Sequence, residues 1–269
     1  GTYTATVTPT GNYKWSDDTT TAKNVVCTIN TKSVAVSWGT TTTFTYNGGA
    51  QAPSASAISG VSGETINVGR TTATSAGSYT STASCSSVSG GRAKCSNYTL
   101  TGTTKSFSIG RASMTKPGSP SAKNYTGSSQ SSGISCPSGS SAGGTTSATN
   151  AGTYSQTCSP DANHKWSDGT TTSATISWTI NKVVATISCS NKTYTGASQT
   201  GCSCSGGTIG GTSSAIDAGT YTVSCSPDAN HTAPANKSWS IGTKSVAVSW
   251  ETTTTFTYNG GAQAPSASA

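Results

Sequence analysis

Charged side chains are scarce in this chain of 269 residues, where Asp, Glu, Lys and Arg together make up 9%. Enzymes hold groups of tuned pKa in clusters. Eight carboxylates and two histidines, scattered as they are here, assemble no Ser-His-acid set, phosphate-binding glycine loop or nucleotide motif. The expectation is a protein with no catalytic residues and no cofactor. Apolar residues are also few, at 31%, with three Phe and one Met. No segment keeps helical spacing beyond one turn, and none between Gly1 and Ala269 reads as a signal peptide, anchor or membrane span. The fifteen Lys and Arg give a net charge of +7 but are spaced singly. Even Arg92 with Lys94 has no basic neighbours, whereas nucleic-acid binding shows a patch or stripe. Neither nucleic acid nor membrane is expected as a partner of this stretch.

So few apolar residues would suggest disorder, but disordered chains usually carry high net charge and few bulky residues. Here Trp, Tyr, Val and Ile recur in register. Val34, Val36 and Trp38 alternate with polar residues, as do Ile176, Trp178 and Ile180, and Val25, Cys27 and Ile29. That is the period of a half-buried strand. The 31 glycines and nine prolines fall at turn positions such as YNGG and SPDANH. The fold class expected is all-β.

Recurrence organises the chain. KSVAVSWGTTTTFTYNGGAQAPSASA, the 26 residues from Lys32, returns from Lys244 with Gly39 replaced by Glu251. GTYTATVTPTGNYKWSDDTTT from Gly1 aligns without a gap on GTYSQTCSPDANHKWSDGTTT from Gly152, and GTYTVSCSPDANH follows at Gly219. NYTGSSQ at Asn124 and TYTGASQ at Thr193 match FTYNGGAQ at Phe44 and Phe256. Each unit thus has an early Tyr-Gly-Gln element and a late Ala-Gly-Thr/Ser-Tyr element, the mark of a tandem array. The phasing gives three whole units, 32–110, 111–181 and 182–242, flanked by a late half, 1–31, and an early half, 243–269. The chain is therefore expected to be a window on a longer array. Its two halves are expected to fray unless completed by further sequence, along the same polypeptide or from a neighbouring chain by strand addition.

Many short strands with Thr-rich faces argue for a small β-sandwich in each unit. IDAGTYTVSC from Ile216 and TNAGTYSQTC from Thr149 resemble the Asp-x-Gly-x-Tyr approach of immunoglobulin-like domains, where the Tyr hydroxyl ties back to upstream backbone. Tyr3, Tyr79, Tyr154 and Tyr221 hold this place, the alternative being plain core tyrosines. The combination of YTGxxQ, AGTYT, a loop such as TPTGNYKWSDDTTT and a closing strand ending in TI or SI resembles the bacterial immunoglobulin-like repeats of the MBG and YDG type. The resemblance implies tandem domains in a large surface or secreted protein, and it supplies no catalytic residues.

Nine cysteines without metal-site spacing point to disulfides and an oxidising compartment. Cys136 and Cys158 are the only two in their unit, and Cys204 and Cys225 occupy the equivalent places in the next. That leaves Cys189 for Cys202, while Cys85 and Cys95 flank VSGG, which reads as a hairpin turn. Cys27 is unpaired within the chain. It aligns with Trp178 at a core position, either as a buried thiol or with a partner in further strands. The CSC of TGCSCSGG, with His164 and His231 only in turn motifs, forms no recurrent ligand set, so no metal is expected.

Asp161 and Asp228 in SPDANH suit a turn. Trp15 and Trp166 are the candidates for sugar stacking, against packing in core or loop. The sequons at Asn97, Asn124, Asn191, Asn230 and Asn236, and the Thr runs 40–43 and 252–255, are candidate glycosylation sites. Between units the linkers are short: Ile29 is followed by NTKS, Ile180 by NK and Ile241 by GTKS. Such connections lead to the expectation of a semi-rigid rod of serial units. The partners expected are further copies of the repeat, with self-association into a fibre and glycans as further candidates. The function expected is a disulfide-stapled stalk or fibre segment at the cell surface or outside the cell, with a glycan-binding adhesive module as the alternative.

Overall fold

The computed structural model describes residues 1–90 and 94–269; Arg92 lies outside the described residues. The chain is all-β. Among the described residues the one helical turn is the 3-10 turn Cys95–Asn97, and no helix is long and apolar enough to cross a membrane. Two compact units divide it: residues 1–116, 136–141 and 158–173 form the first, and residues 117–135, 142–157 and 174–269 the second.

The first unit holds a seven-stranded sheet. Its spatial order is Thr43–Thr45, Thr104–Gly110, Gly77–Ser89, Thr65–Arg70, Ala55–Ala57, Lys32–Trp38 and Tyr98–Thr101. The long strand Gly77–Ser89 makes this possible by changing partner midway. Residues 77–82 pair with 104–109, and residues 83–89 pair with 65–70 across a bulge at Asn67/Val68. The two ends of the order are closed by parallel pairs, Phe44 opposite Ile109 and Lys32 opposite Tyr98. Alternation sets the core: Val34, Ala57 and Ile66 pack with Val68, Cys85, Val88, Tyr98 and Leu100. Residues 1–31 contribute a separate two-stranded hairpin, Thr2–Val7 against Lys23–Thr28. Among the described residues no second layer covers its alternating apolar residues. Val25 and Ile29 are therefore exposed, and so is Cys27, contrary to the core position expected from its alignment with Trp178.

The second unit repeats the partner change. In strand Gly219–Pro227, residues 219–223 pair with 237–241 and residues 223–227 pair with 207–211. Ala185, Ile187, Cys202, Val223, Cys225, Trp239 and Ile241 form its buried cluster. Ile176, Trp178 and Ile180, alternate residues of Ala174–Asn181, are also buried. The buried indoles are satisfied by backbone: Trp178 Nε1 donates to Thr145 O at 2.9 Å and Trp239 Nε1 to Thr212 O at 2.7 Å. Gln156, a buried polar residue, accepts from the Ser132 hydroxyl and donates to Ile134 O at 3.2 Å.

Four disulfides cross-link the chain: Cys85–Cys95, Cys136–Cys158, Cys189–Cys202 and Cys204–Cys225. Cys136–Cys158 and Cys204–Cys225 join the equivalent places of two repeats, and the other two pairs are the remaining Cys189–Cys202 and the local Cys85–Cys95.

Candidate functional site

The repeated motifs prove to be local devices. In the early element the Gly of Tyr-x-Gly takes positive φ, at 79° for Gly48, 82° for Gly127, 82° for Gly196 and 83° for Gly260. This is left-handed backbone that suits glycine. The polar residue before each glycine accepts from the amide two residues beyond itself: Asn47 from Gly49, Thr126 from Ser128, Thr195 from Ala197 and Asn259 from Gly261. The Gln then closes the turn. Its side-chain amide donates to the carbonyl just before the Tyr, Gln51 to Thr45, Gln130 to Asn124, Gln199 to Thr193 and Gln263 to Thr257, at 2.9–3.1 Å.

In the late element the Tyr hydroxyl donates to the carbonyl four residues upstream. Tyr79 reaches Ser75 at 2.8 Å, Tyr154 reaches Asn150 at 2.7 Å and Tyr221 reaches Asp217 at 2.6 Å. Each ring tilts over the core aromatic of the paired strand, Phe107, Trp178 and Trp239 respectively, with centroids 5.0–5.5 Å apart. Tyr3, in the exposed hairpin, is 56% exposed.

SPDANH makes the third device. Asp161 Oδ1 accepts from the Asn163 amide at 2.8 Å and from His164 Nδ1 at 2.7 Å; Asp228 does the same for Asn230 and His231 at 2.8 and 2.6 Å. The imidazole beside each carboxyl holds its pKa below the ordinary carboxylate value. Each His ring lies over a glycine in left-handed backbone, Gly139 or Gly206, where an added Cβ would meet the ring at 2.3 or 2.6 Å.

These three devices meet. In the first unit the Asn163 side chain accepts the Ala76 amide at 2.8 Å, and His164 packs edge-on against Tyr46 with centroids 5.2 Å apart. In the second unit Asn230 accepts the Ala151 amide at 2.8 Å, and His231 packs edge-on against Tyr125 at 5.4 Å. Asn230 also donates to the Asn150 side chain at 3.3 Å. Each contact joins the Asn-His turn of one sequence repeat to the Tyr-x-Gly turn and Ala-Gly step of the repeat before it. Tyr98 takes the same strand position as the two histidines: it lies opposite Lys32 as His164 lies opposite Ala112 and His231 opposite Val183. An aromatic ring, rather than imidazole in particular, is what this position carries. Sequence reasoning read SPDANH as a turn and went no further. The recurrence of Asn-His beside Tyr-x-Gly and Ala-Gly was the signal that could have found the contact.

The expected glycan contacts separate. Trp15 and Trp166 make the same local bonds, Nε1 to Thr21 O at 2.7 Å and to Thr172 O at 2.8 Å. Trp166, however, is fully buried, in the strand His164–Trp166 that pairs with Ala112–Met114, and presents no face to a sugar. Trp15 is half-buried, with Lys23 Nζ 5.3 Å from its ring. Of the sequons, half-buried Asn230 spends its side chain on the contact above; Asn97, Asn124, Asn191 and Asn236 are exposed, although Asn191 accepts the Ser240 amide at 2.9 Å. Two depressions, about 470 Å³ along Ser78–Thr80 and about 520 Å³ along Ser131–Ser135, are lined mainly by Ser and Thr and gather no charged groups.

The chain matches no protein-family model, and no curated protein matches it.

Proposed function

We propose that this chain is a segment of an extracellular stalk or fibre, built from serial immunoglobulin-like repeats of the MBG/YDG kind. Its units run over 32–110, 111–181 and 182–242, with partial units at 1–31 and 243–269, and together they form a semi-rigid rod. The observation that carries this reading is the recurrence of one contact, Asn-His on Tyr and an Ala amide, in both compact units with the same residue types and distances. A chain that gains reach by adding copies needs each copy to seat on its neighbour in the same way. Four disulfides support an oxidising, extracellular setting, and each stabilises a thinly cored unit. The test is small-angle scattering from the full chain and from a version carrying a second copy of residues 111–181. The maximum dimension should rise by the length of one unit. An unchanged maximum dimension would overturn the rod.

A glycan-binding module is the second reading, favoured by Trp15 alone, with its half-buried ring among Lys23, Asp17 and Thr19. Saturable binding of the full chain on a glycan array, abolished by Trp15→Ala, would select it over the stalk.

A further inference from the structure

Repeats 111–181 and 182–242 share a frame, and two glycines fix their alignment. Gly144 and Gly211 take φ of 72° and 76°, and a Cβ on either would meet a carbonyl of the neighbouring strand, Ser155 O at 2.6 Å or Thr222 O at 2.5 Å. Ala142 therefore stands where Ile209 does, and Gln156 where Val223 does. Ser132 takes the place of Gly201: Ser132 N donates to Thr146 O at 2.7 Å, as Gly201 N does to Ser213 O at 2.9 Å.

Departures in 111–181 converge at one spot. In 182–242 the strand Thr186–Cys189 pairs antiparallel with Cys202–Ser205, Ile187 and Val223 are buried, and Ile209 packs against them. In 111–181 the stretch before Lys123 reads Thr-Lys-Pro-Gly-Ser-Pro-Ser-Ala from Thr115. Pro117 and Pro120 cannot donate to a ladder, no strand forms there, and residues 132–137 pair with none. Side chains hold that segment instead. The Ser132 hydroxyl accepts the Ile134 amide at 3.1 Å, while Gln156 accepts from Ser132 and donates to Ile134 O at 3.2 Å. A hydrogen-bonded polar pair, Ser132 and Gln156 at 3% and 2% exposure, thus lies buried where the next repeat has Gly and Val. The backbone groups of Gly133 and Ser135 bond to nothing else among the described residues. With Ala142 in place of an isoleucine, a depression of about 520 Å³ opens between residues 131–135, Ala142, Thr146 and Gln156. This repeat has a whole repeat on one side and a whole repeat on the other, so no chain end creates the opening.

We infer that this depression is a binding site for one neutral saccharide unit. Its lining holds no charged side chain, and Lys123 at its rim is spent on the Ser131 carbonyl at 2.5 Å, so an ionic ligand finds no counter-charge. A purely apolar ligand would strip water from hydroxyl and peptide groups without replacing their bonds, which is costly. A pyranose ring offers hydroxyls around its edge and C–H groups on its faces. The unpaired peptide groups of Gly133 and Ser135 and the hydroxyls of Ser135 and Thr146 suit the edge; Ile134 and Ala142 suit a face. The volume falls within the range of about 300–1,000 Å³ of small-molecule sites, in which a few fixed polar groups set orientation. The buried Ser132–Gln156 pair fixes them here by holding both backbone groups of Ile134. The site goes beyond the rod reading and does not need it, since scattering reports length and the titration below reports a ligand.

The test is an NMR titration of the isotope-labelled full chain with the methyl β-glycosides of glucose, galactose, N-acetylglucosamine and N-acetylgalactosamine, one at a time. At least one should give saturable shifts of the Gly133 and Ser135 amides and the Gln156 side-chain amide. Ala142→Ile restores the residue type that 182–242 carries at this place and should abolish those shifts; Ala142→Val, a smaller filling, should weaken the binding in part. The Trp166 and Trp239 indole resonances report that each variant remains folded. Trp15→Ala should leave the shifts unchanged, which separates this site from the glycan reading built on Trp15. The inference is overturned if none of the glycosides gives saturable shifts at Gly133 and Ser135, if both filled variants bind as before, or if Trp15→Ala removes the shifts.

Discussion

Asn163→Ala isolates the contact between repeats. The side-chain oxygen of Asn163 is 2.8 Å from the Ala76 amide, and the same residue's own amide is held by Asp161. Truncation therefore removes one acceptor and leaves the turn's other bonds in place. A hydrogen bond is worth about 1 kcal/mol net, while a fully buried amide left without an acceptor costs up to about 3 kcal/mol. Ala76 is half-buried, so water reaches it after truncation and the lower figure applies. At about 1.4 kcal/mol per factor of ten, the opening that exposes Ala76 becomes about fivefold more frequent. Native-state hydrogen exchange followed by NMR reads this directly, with the Ala76 amide exchanging about fivefold faster. Tyr79 and Phe107, behind it in the core, should exchange unchanged. Asn163→Asp keeps an acceptor at the same distance and should hold protection near the starting level. The reasoning is refuted if Ala76 exchange is unmoved by Asn163→Ala, or if Asn163→Asp is as damaging as Asn163→Ala.

Three further outcomes are expected. Trp166→Ala should cost about 3–5 kcal/mol in chemical denaturation, because the ring is fully buried and its cavity has no other filler; Trp15→Ala, half-buried in the exposed hairpin, should leave the main transition in place, and equal losses would contradict the burial. Replacing Cys136 and Cys158 with Ser opens a loop of sequence separation 22 and should lower stability by about 3 kcal/mol, read as a shift in the urea midpoint. Lys116 holds the Asp168 carboxyl well below its ordinary value, and the two histidines lower Asp161 and Asp228. A carboxyl with a lowered folded pKa stabilises above its unfolded value and loses that contribution as pH falls through the folded one, so the thermal midpoint should be flat above about pH 4 and fall below it. The fall should shrink in the triple Asp→Asn chain; a fall of the same size there would refute these carboxyls as its source.

Much of this protein is local, and what is local was legible. The strand period of Val34, Val36 and Trp38 announced sheet. Tyr-x-Gly with its Gln, the Tyr of Ala-Gly-x-Tyr and Asp with Asn-His each bond within six residues, so residue types at fixed spacing suffice to specify them. Two cysteine pairs, Cys136–Cys158 and Cys204–Cys225, followed from equivalent places in two repeats; Cys189–Cys202 followed by elimination and Cys85–Cys95 from their short separation. Burial and meeting of elements obey no such rule. Trp15 and Trp166 lie in near-identical sequence and make the same bonds, yet only Trp166 is enclosed, because enclosure depends on distant strands. Cys27 alternates like a core residue and is exposed because, among the described residues, no layer covers its hairpin. Asn163 and His164 lie 87 residues or more from Ala76 and Tyr46. Sequence by itself determined the turns, the strands and the staples; only the tertiary structure decided which turn seats on which tyrosine, because that choice is made by packing between segments that no local spacing connects.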